Sequence, residues 1–171
     1  MRTLLDRRFG VIYLLALLFV AIAAFTRLAL LLHSPASDLS AVDLVGAFGI
    51  GLVYDTITAS YFAIPLILYL TLLPERTYRS RAHRGLLMAG FLVLLYLLLF
   101  VAVAEWVFWD EFESRFNFIA VDYLVYTNEV LGNIWESYPV PMLLSLIGVA
   151  TAAMFLPLRR WLRGTGPATR R

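Results

Sequence analysis

The sequence predicts an all-α integral membrane protein, with four transmembrane helices and an amphipathic helix at the outer interface. Three observations carry this. Hydrophobic residues make up 61% of the 171 residues and charged residues 15%, against about 45–50% and about 25% in soluble domains. A soluble fold of this size has no interior large enough to hide that apolar excess. Four long stretches are nearly free of charge, and the basic residues fall on alternate connections between them.

Composition also excludes whole classes. The formal net charge is +2, so there is no global basic field for a nucleic-acid partner. Every basic residue is Arg, and there is no Cys. Disulfides, thiolate metal sites and Cys nucleophiles are therefore absent. The two histidines, His33 and His83, are far apart in sequence, which makes a His-rich metal site unexpected.

A helix crosses the hydrocarbon core with about 20 apolar residues, at about 1.5 Å of rise each. The first span is expected at about 9–32, interrupted only by Arg27. Its uncharged run from Phe9 to Thr26 exceeds the h-region of about 7–15 residues of a secretory signal, so it reads as a retained anchor. The second is expected at about 52–74, with Pro65 inside it and an uncharged approach from Leu44 to Tyr54. Gly46, Gly49 and Gly51 cluster at its start and allow either close helix contact or a flexible entry. The third, about 85–108, contains "GLLMAGFLVLLYLLLFVAVA". The fourth is expected at about 139–158, with Pro157 near its end. A proline inside such a span allows a kink. Residues 1–163 then form one membrane domain, and 164–171, "GTGPATRR", read as a disordered tail.

Arg2, Arg7 and Arg8 precede the first span. Arg76, Arg79, Arg81 and Arg84 lie between the second and third, and Arg159, Arg160 and Arg163 follow the fourth. The other connections carry mostly acids. This alternation predicts both termini on the cytoplasmic side.

The connection between the third and fourth spans is unusual. In "SRFNFIAVDYLVYTNEVLGNIWESYP", Ser114 to Pro139, a 3.6-residue period puts Asp122, Tyr126, Glu129, Asn133 and Glu136 on one stripe. Val121, Leu124, Val125, Leu131 and Trp135 fall mostly opposite. The pattern predicts an interfacial helix at about 115–136. It follows an aromatic cluster, Trp106, Phe108, Trp109 and Phe112, of the kind that favours the lipid–water boundary. Its polar face, with Arg115 the lone base, is a candidate partner surface.

The wording of this region adds a family resemblance. From Trp109 to Pro139 the sequence reads "WDEFESRFNFIAVDYLVYTNEVLGNIWESYP", and from Gly51 to Asp55 it reads "GLVYD". Both resemble stretches in the membrane part of lipoteichoic-acid-synthase-like proteins, the phosphoglycerol transferases and sulfatases of the alkaline phosphatase superfamily. Val53 departs from the basic residue often found at its position. The resemblance implies an anchor for an extracytoplasmic catalytic domain. In the family that domain follows a fifth span and uses a Thr nucleophile with manganese or another divalent metal. The sequence to Arg171 shows four spans and no position that matches those residues. No catalytic residue and no cofactor are therefore expected in this chain.

Three charges inside the apolar runs, Arg27, Asp55 and Glu105, are costly at mid-bilayer, by about 2.5–3.5 kcal/mol on insertion scales. All three are expected near the outer ends of their spans. One reading is an outer polar cluster that orients the amphipathic segment or meets a lipid headgroup through Arg27. The other is an Arg27–acid pair that fixes packing while Glu105 reaches water. Asp110, Glu111 and Glu113 lack calcium-loop spacing and read as a solvated acidic loop. Thr56, Thr58 and Ser60 have no base nearby, and hydrogen bonds within their helix explain them. His33 reads as a loop residue, and His83 as part of the basic connection.

The expected function is thus a membrane anchor, not catalytic alone, that holds a catalytic domain at the lipid surface. Its expected partners are membrane lipid and an extracytoplasmic catalytic domain or subunit. A free-standing accessory protein that binds a separate envelope-biogenesis subunit is a second reading. A small transporter or channel subunit built around Arg27, Asp55 and Glu105 is a third.

Overall fold

The computed structural model describes residues 8–34, 40–125 and 127–164. The described residues form helices joined by short links, with no strand among them. Helix α1 is Gly10–His33, α2 Ala41–Leu72, α3 the short Glu75–Tyr78, and α4 Arg81–Phe112. Then come α5 (Phe118–Val125), α6 (Thr127–Ser137) and α7 (Val140–Gly164). Four of them, α1, α2, α4 and α7, are long and apolar enough to cross a membrane. The expected tail beyond Gly164 lies outside the described residues, as do Arg2 and Arg7.

Local chemistry sets where the long helices begin. Helix α2 starts at Ala41 rather than near residue 52, because Ser40 and Asp43 form a reciprocal cap. Asp43 N donates to Ser40 Oγ at 3.2 Å, and Ser40 N donates to Asp43 Oδ2 at 3.1 Å. Two otherwise orphaned N–H groups are satisfied this way. Ser80 starts α4 likewise, its Oγ accepting from His83 N at 3.1 Å. Pro65 and Pro157 lie inside α2 and α7, and both helices run on through them.

The long helices pack in the order α2, α1, α4, α7. Helix α1 touches both α2 and α4, whereas α7 rests on α4. The chain runs up and down, so charged residues collect at two ends. At the arginine-rich end a core cluster forms from Val11, Ile12 and Leu14 of α1, Leu70 of α2, Phe91 and Leu95 of α4, and Leu162 of α7. His83 is 4% exposed there. It sits inside the bundle with Nδ1 2.9 Å from the Tyr69 hydroxyl, although it belongs in sequence to the basic connection. The other end carries the acids and the α5–α6 segment.

Few apolar side chains are covered. Leu32, Leu72 and Tyr61 are 78%, 79% and 70% exposed, and the same holds along most of α2. The hydroxyls of Thr56, Thr58 and Ser60 turn back on their own helix, donating to the carbonyls of Leu52, Tyr54 and Thr56 at 2.7–2.9 Å. Each of these three hydroxyls is thereby satisfied without water, as a helix in hydrocarbon would need.

Candidate functional site

Arg27 of α1 is the most informative polar residue. It is 9% exposed, and one guanidinium nitrogen lies 2.9 Å from Asp55 Oδ2 of α2. The guanidinium also stands over the Phe48 ring, 5.7 Å from its centroid. Phe48, Gly51 and Asp55 follow one another at i, i+3 and i+7, so they share one helix face. Gly51 is the floor of the seat. A β-carbon there would stand 2.6 Å from Arg27 Nε and closer still to Cζ, whereas Gly46 and Gly49 face open space. Of the three glycines, only Gly51 is required for a close approach.

Gly51→Ala is therefore expected to destabilise the chain by about 1–3 kcal/mol through overpacking. It does so although Ala favours a helix over Gly by about 1 kcal/mol. Reversible unfolding in mixed detergent–SDS micelles, followed by Trp fluorescence, reads this. With Arg27→Leu already in place, the same change should become neutral or stabilising. Stabilisation by Gly51→Ala while Arg27 is present would refute the seat.

Glu105 does not join Arg27. It is 7% exposed and accepts a hydrogen bond from Arg115 Nε. This corrects the expectation that Glu105 reaches water. The cause is a reversal of the chain just beyond α4. Glu113 ends the helix in the left-handed region, at φ 49° and ψ 26°. That turn brings Arg115 back onto Glu105 and Phe116 onto Phe108, with ring centroids 5.1 Å apart. Glu105 and Phe108 are three residues apart on the same helix face. Asn117 then starts α5, its Oδ1 accepting from Ile119 N at 2.9 Å.

The Glu105 carboxylate accepts the Arg115 hydrogen bond and holds that guanidinium above its usual range, against partial burial. The Asp55 carboxylate adds to the same effect. The two ion pairs thus feel each other, with two cations and two carboxylates at one end of the bundle. Arg27, buried under this arrangement, is not presented to a headgroup.

A second layer lies toward the acidic tips. His33 closes α1 and meets Asp110 Oδ1 at 3.0 Å, with its ring 4.8 Å from Trp106. Tyr138 donates to Glu111 Oε1 at 2.8 Å. Burial, then the Glu111 carboxylate, pushes the Tyr138 hydroxyl up to about 12. Asp110 and Glu111 are therefore partners that tie segments together rather than a purely solvated loop. An open cleft of about 320 Å³ is lined by His33, Ser34, Trp109, Asp110 and Glu113. No group of three His, Asp or Glu placed to hold a metal occurs among the described residues.

The amphipathic segment is helical on both sides of residue 126, as α5 and α6. Glu129, Asn133 and Glu136 are exposed on α6. Leu131 and Trp135 are exposed as well, at 58% and 64%. Both sides of α6 are thus open, and its apolar side is not spent on the bundle. Tyr126 and the side chain of Asp122 lie outside the described residues. Arg115, assigned from sequence to this surface, belongs instead to the Glu105 latch.

Compared with known protein families, curated proteins and solved structures, the chain finds no match in any of the three.

Proposed function

We propose that this chain is a membrane-anchor domain of the lipoteichoic-acid-synthase type. It would sit in a bacterial inner membrane with its acidic end outward and hold an extracytoplasmic catalytic domain at the lipid surface. One observation carries the reading. The two stretches of family-like sequence, Gly51–Asp55 and Trp109–Pro139, each supply one member of the two ion pairs at one end of the bundle: Asp55 pairs with Arg27, and Arg115 with Glu105. Motif residues far apart in sequence are thus spent on two neighbouring ion pairs, one joining α2 to α1 and one folding the segment after α4 back onto α4. That suits a platform on which something else is positioned, because holding enzyme and lipid in one plane lowers the entropic cost of their meeting. Exposed apolar surface on this scale supports lipid as the solvent.

The orientation is testable because the chain has no Cys. In intact cells, a membrane-impermeant maleimide is expected to label a Ser137→Cys variant and leave a Thr77→Cys variant unlabelled until the cells are opened. The reverse pattern would invert the assignment.

The function is tested with a chimera. These four spans replace the first four of a lipoteichoic-acid-synthase-type enzyme, whose own fifth span and catalytic domain are kept. Headgroup release from a fluorescent phosphatidylglycerol is then measured in membranes. The chimera is expected to turn over, and the chain alone to release nothing above an empty-vector control. A chimera that inserts and accumulates but does not turn over, or turnover by the chain alone, sinks the reading.

A further inference from the structure

The arginine-rich end carries more positive charge than the bundle uses. Glu75 pairs with Arg79 at 2.7 Å and with Arg8 at 3.9 Å. Arg8 also donates to the Leu73 carbonyl and stands over the Tyr78 ring at 5.0 Å. Arg76, Arg81, Arg84, Arg159 and Arg160 are all exposed, and none makes an ion pair with a described residue.

Packing gathers four of the five. The contact of Phe91 with Phe155, at 6.3 Å between ring centroids, fixes the register of α4 against α7. Arg84 lies about two turns before Phe91, and Arg159 and Arg160 about one turn after Phe155. The helices are antiparallel, so these residues reach one level, with Arg81 just beyond. The placement of Arg81 and Arg84 is unfavourable in isolation. They occupy the first turn of α4, which contains no acid, where the helix N–H groups already present positive charge. At the same end, Arg8 Nε and His83 Nε2 are buried without a hydrogen-bond partner among the described residues. An anion from outside the chain resolves the excess.

The surroundings indicate which anion. Leu86 and Leu156, beside these arginines, are 60% and 51% exposed. They extend an apolar bed from the charged rim along both helices. A ligand with a phosphate at one end and hydrocarbon at the other fits both parts. Guanidinium groups suit the phosphate better than ammonium would, because they pair with it bidentately. We infer that the arginine-rich end of the α4–α7 pair, through Arg81, Arg84, Arg159 and Arg160, is a binding surface for anionic phospholipid of the leaflet it faces. This rests on the membrane-anchor reading and lies at the opposite end from the surface that reading uses.

The test reconstitutes the chain in phosphatidylcholine vesicles, alone or mixed with phosphatidylglycerol. Electron spin resonance then compares how strongly spin-labelled phosphatidylglycerol and phosphatidylcholine are held at the protein. The expected result is a preference for phosphatidylglycerol of about fivefold for each engaged headgroup, which falls toward onefold when all four arginines are changed to Gln. Arg84→Gln with Arg159→Gln keeps two of the charges, guards against a misfolded quadruple variant, and should lose part of the preference. Equal retention of both lipids by the unaltered chain overturns the inference, as does a preference that survives the quadruple change. Loss of the preference on adding inorganic phosphate overturns it in favour of free phosphate. If alkaline carbonate strips the chain from the vesicles, the membrane reading itself fails and this inference with it, before any selectivity is read.

Discussion

Asp55→Leu is expected to lower the unfolding free energy by about 3–5 kcal/mol, the usual cost of leaving one member of a buried ion pair alone. Both side chains are well covered, Arg27 at 10% and Asp55 at 14% exposure, so water replaces the lost partner poorly. Arg27 is also walled in by Phe48 and Gly51, which limits its escape to the surface. The double variant Arg27→Leu, Asp55→Leu removes both charges and should recover most of the loss, since apolar replacement of a whole buried pair is often neutral. Unfolding in mixed micelles of all three variants gives the cycle. A loss below about 1 kcal/mol for Asp55→Leu would put the pair in the class of exposed salt bridges and remove it from the argument. A double variant as unstable as the single would show that packing rather than charge is at stake.

Glu105→Gln should act differently. Its stability cost is expected to be about 1–2 kcal/mol, toward the low end for hydrogen bonds to charged groups, because Arg115 is 42% exposed and water takes over part of the role. The larger effect is local. With the Arg115 tether weakened, the turn after Glu113 loses one of its two fold-back contacts, leaving Phe116 on Phe108. Amide hydrogen exchange at Ile119, whose N–H is held by Asn117, should quicken by about tenfold, as expected when a segment opens about 1.4 kcal/mol more easily. Exchange in the middle of α1 should not change. Unchanged exchange at Ile119 would mean that α5 is held by something other than this latch.

The four long helices are legible in the sequence because hydropathy sums over many residues, and no single residue decides it. Their ends are not. Ser40 with Asp43, and Ser80 with the His83 amide, set the starts of α2 and α4 through hydrogen bonds that a hydropathy window does not register. Of the three charges inside the long apolar helices, Arg27 and Asp55 are the pair that costs and helix packing would suggest. Glu105 is misread from sequence because its partner lies beyond a reversal of the chain. Nothing local in "EFESRF" announces that Glu113 will turn left-handed and send Arg115 back. Gly51 differs from Gly46 and Gly49 only through a side chain on another helix, so sequence cannot single it out.

The packing order α2, α1, α4, α7 has a consequence for how the chain is made. Synthesis delivers α1 first, and each later long helix rests on one already delivered: α2 on α1, α4 on α1, and α7 on α4. Each long helix after α1 meets a partner already in place, which keeps exposed intermediates brief. The exception is electrostatic. Arg27 emerges with α1 before Asp55 emerges with α2, so during that interval its charge stands without its partner. The first act of α2, on this account, is less to add apolar contact than to bring that guanidinium its carboxylate.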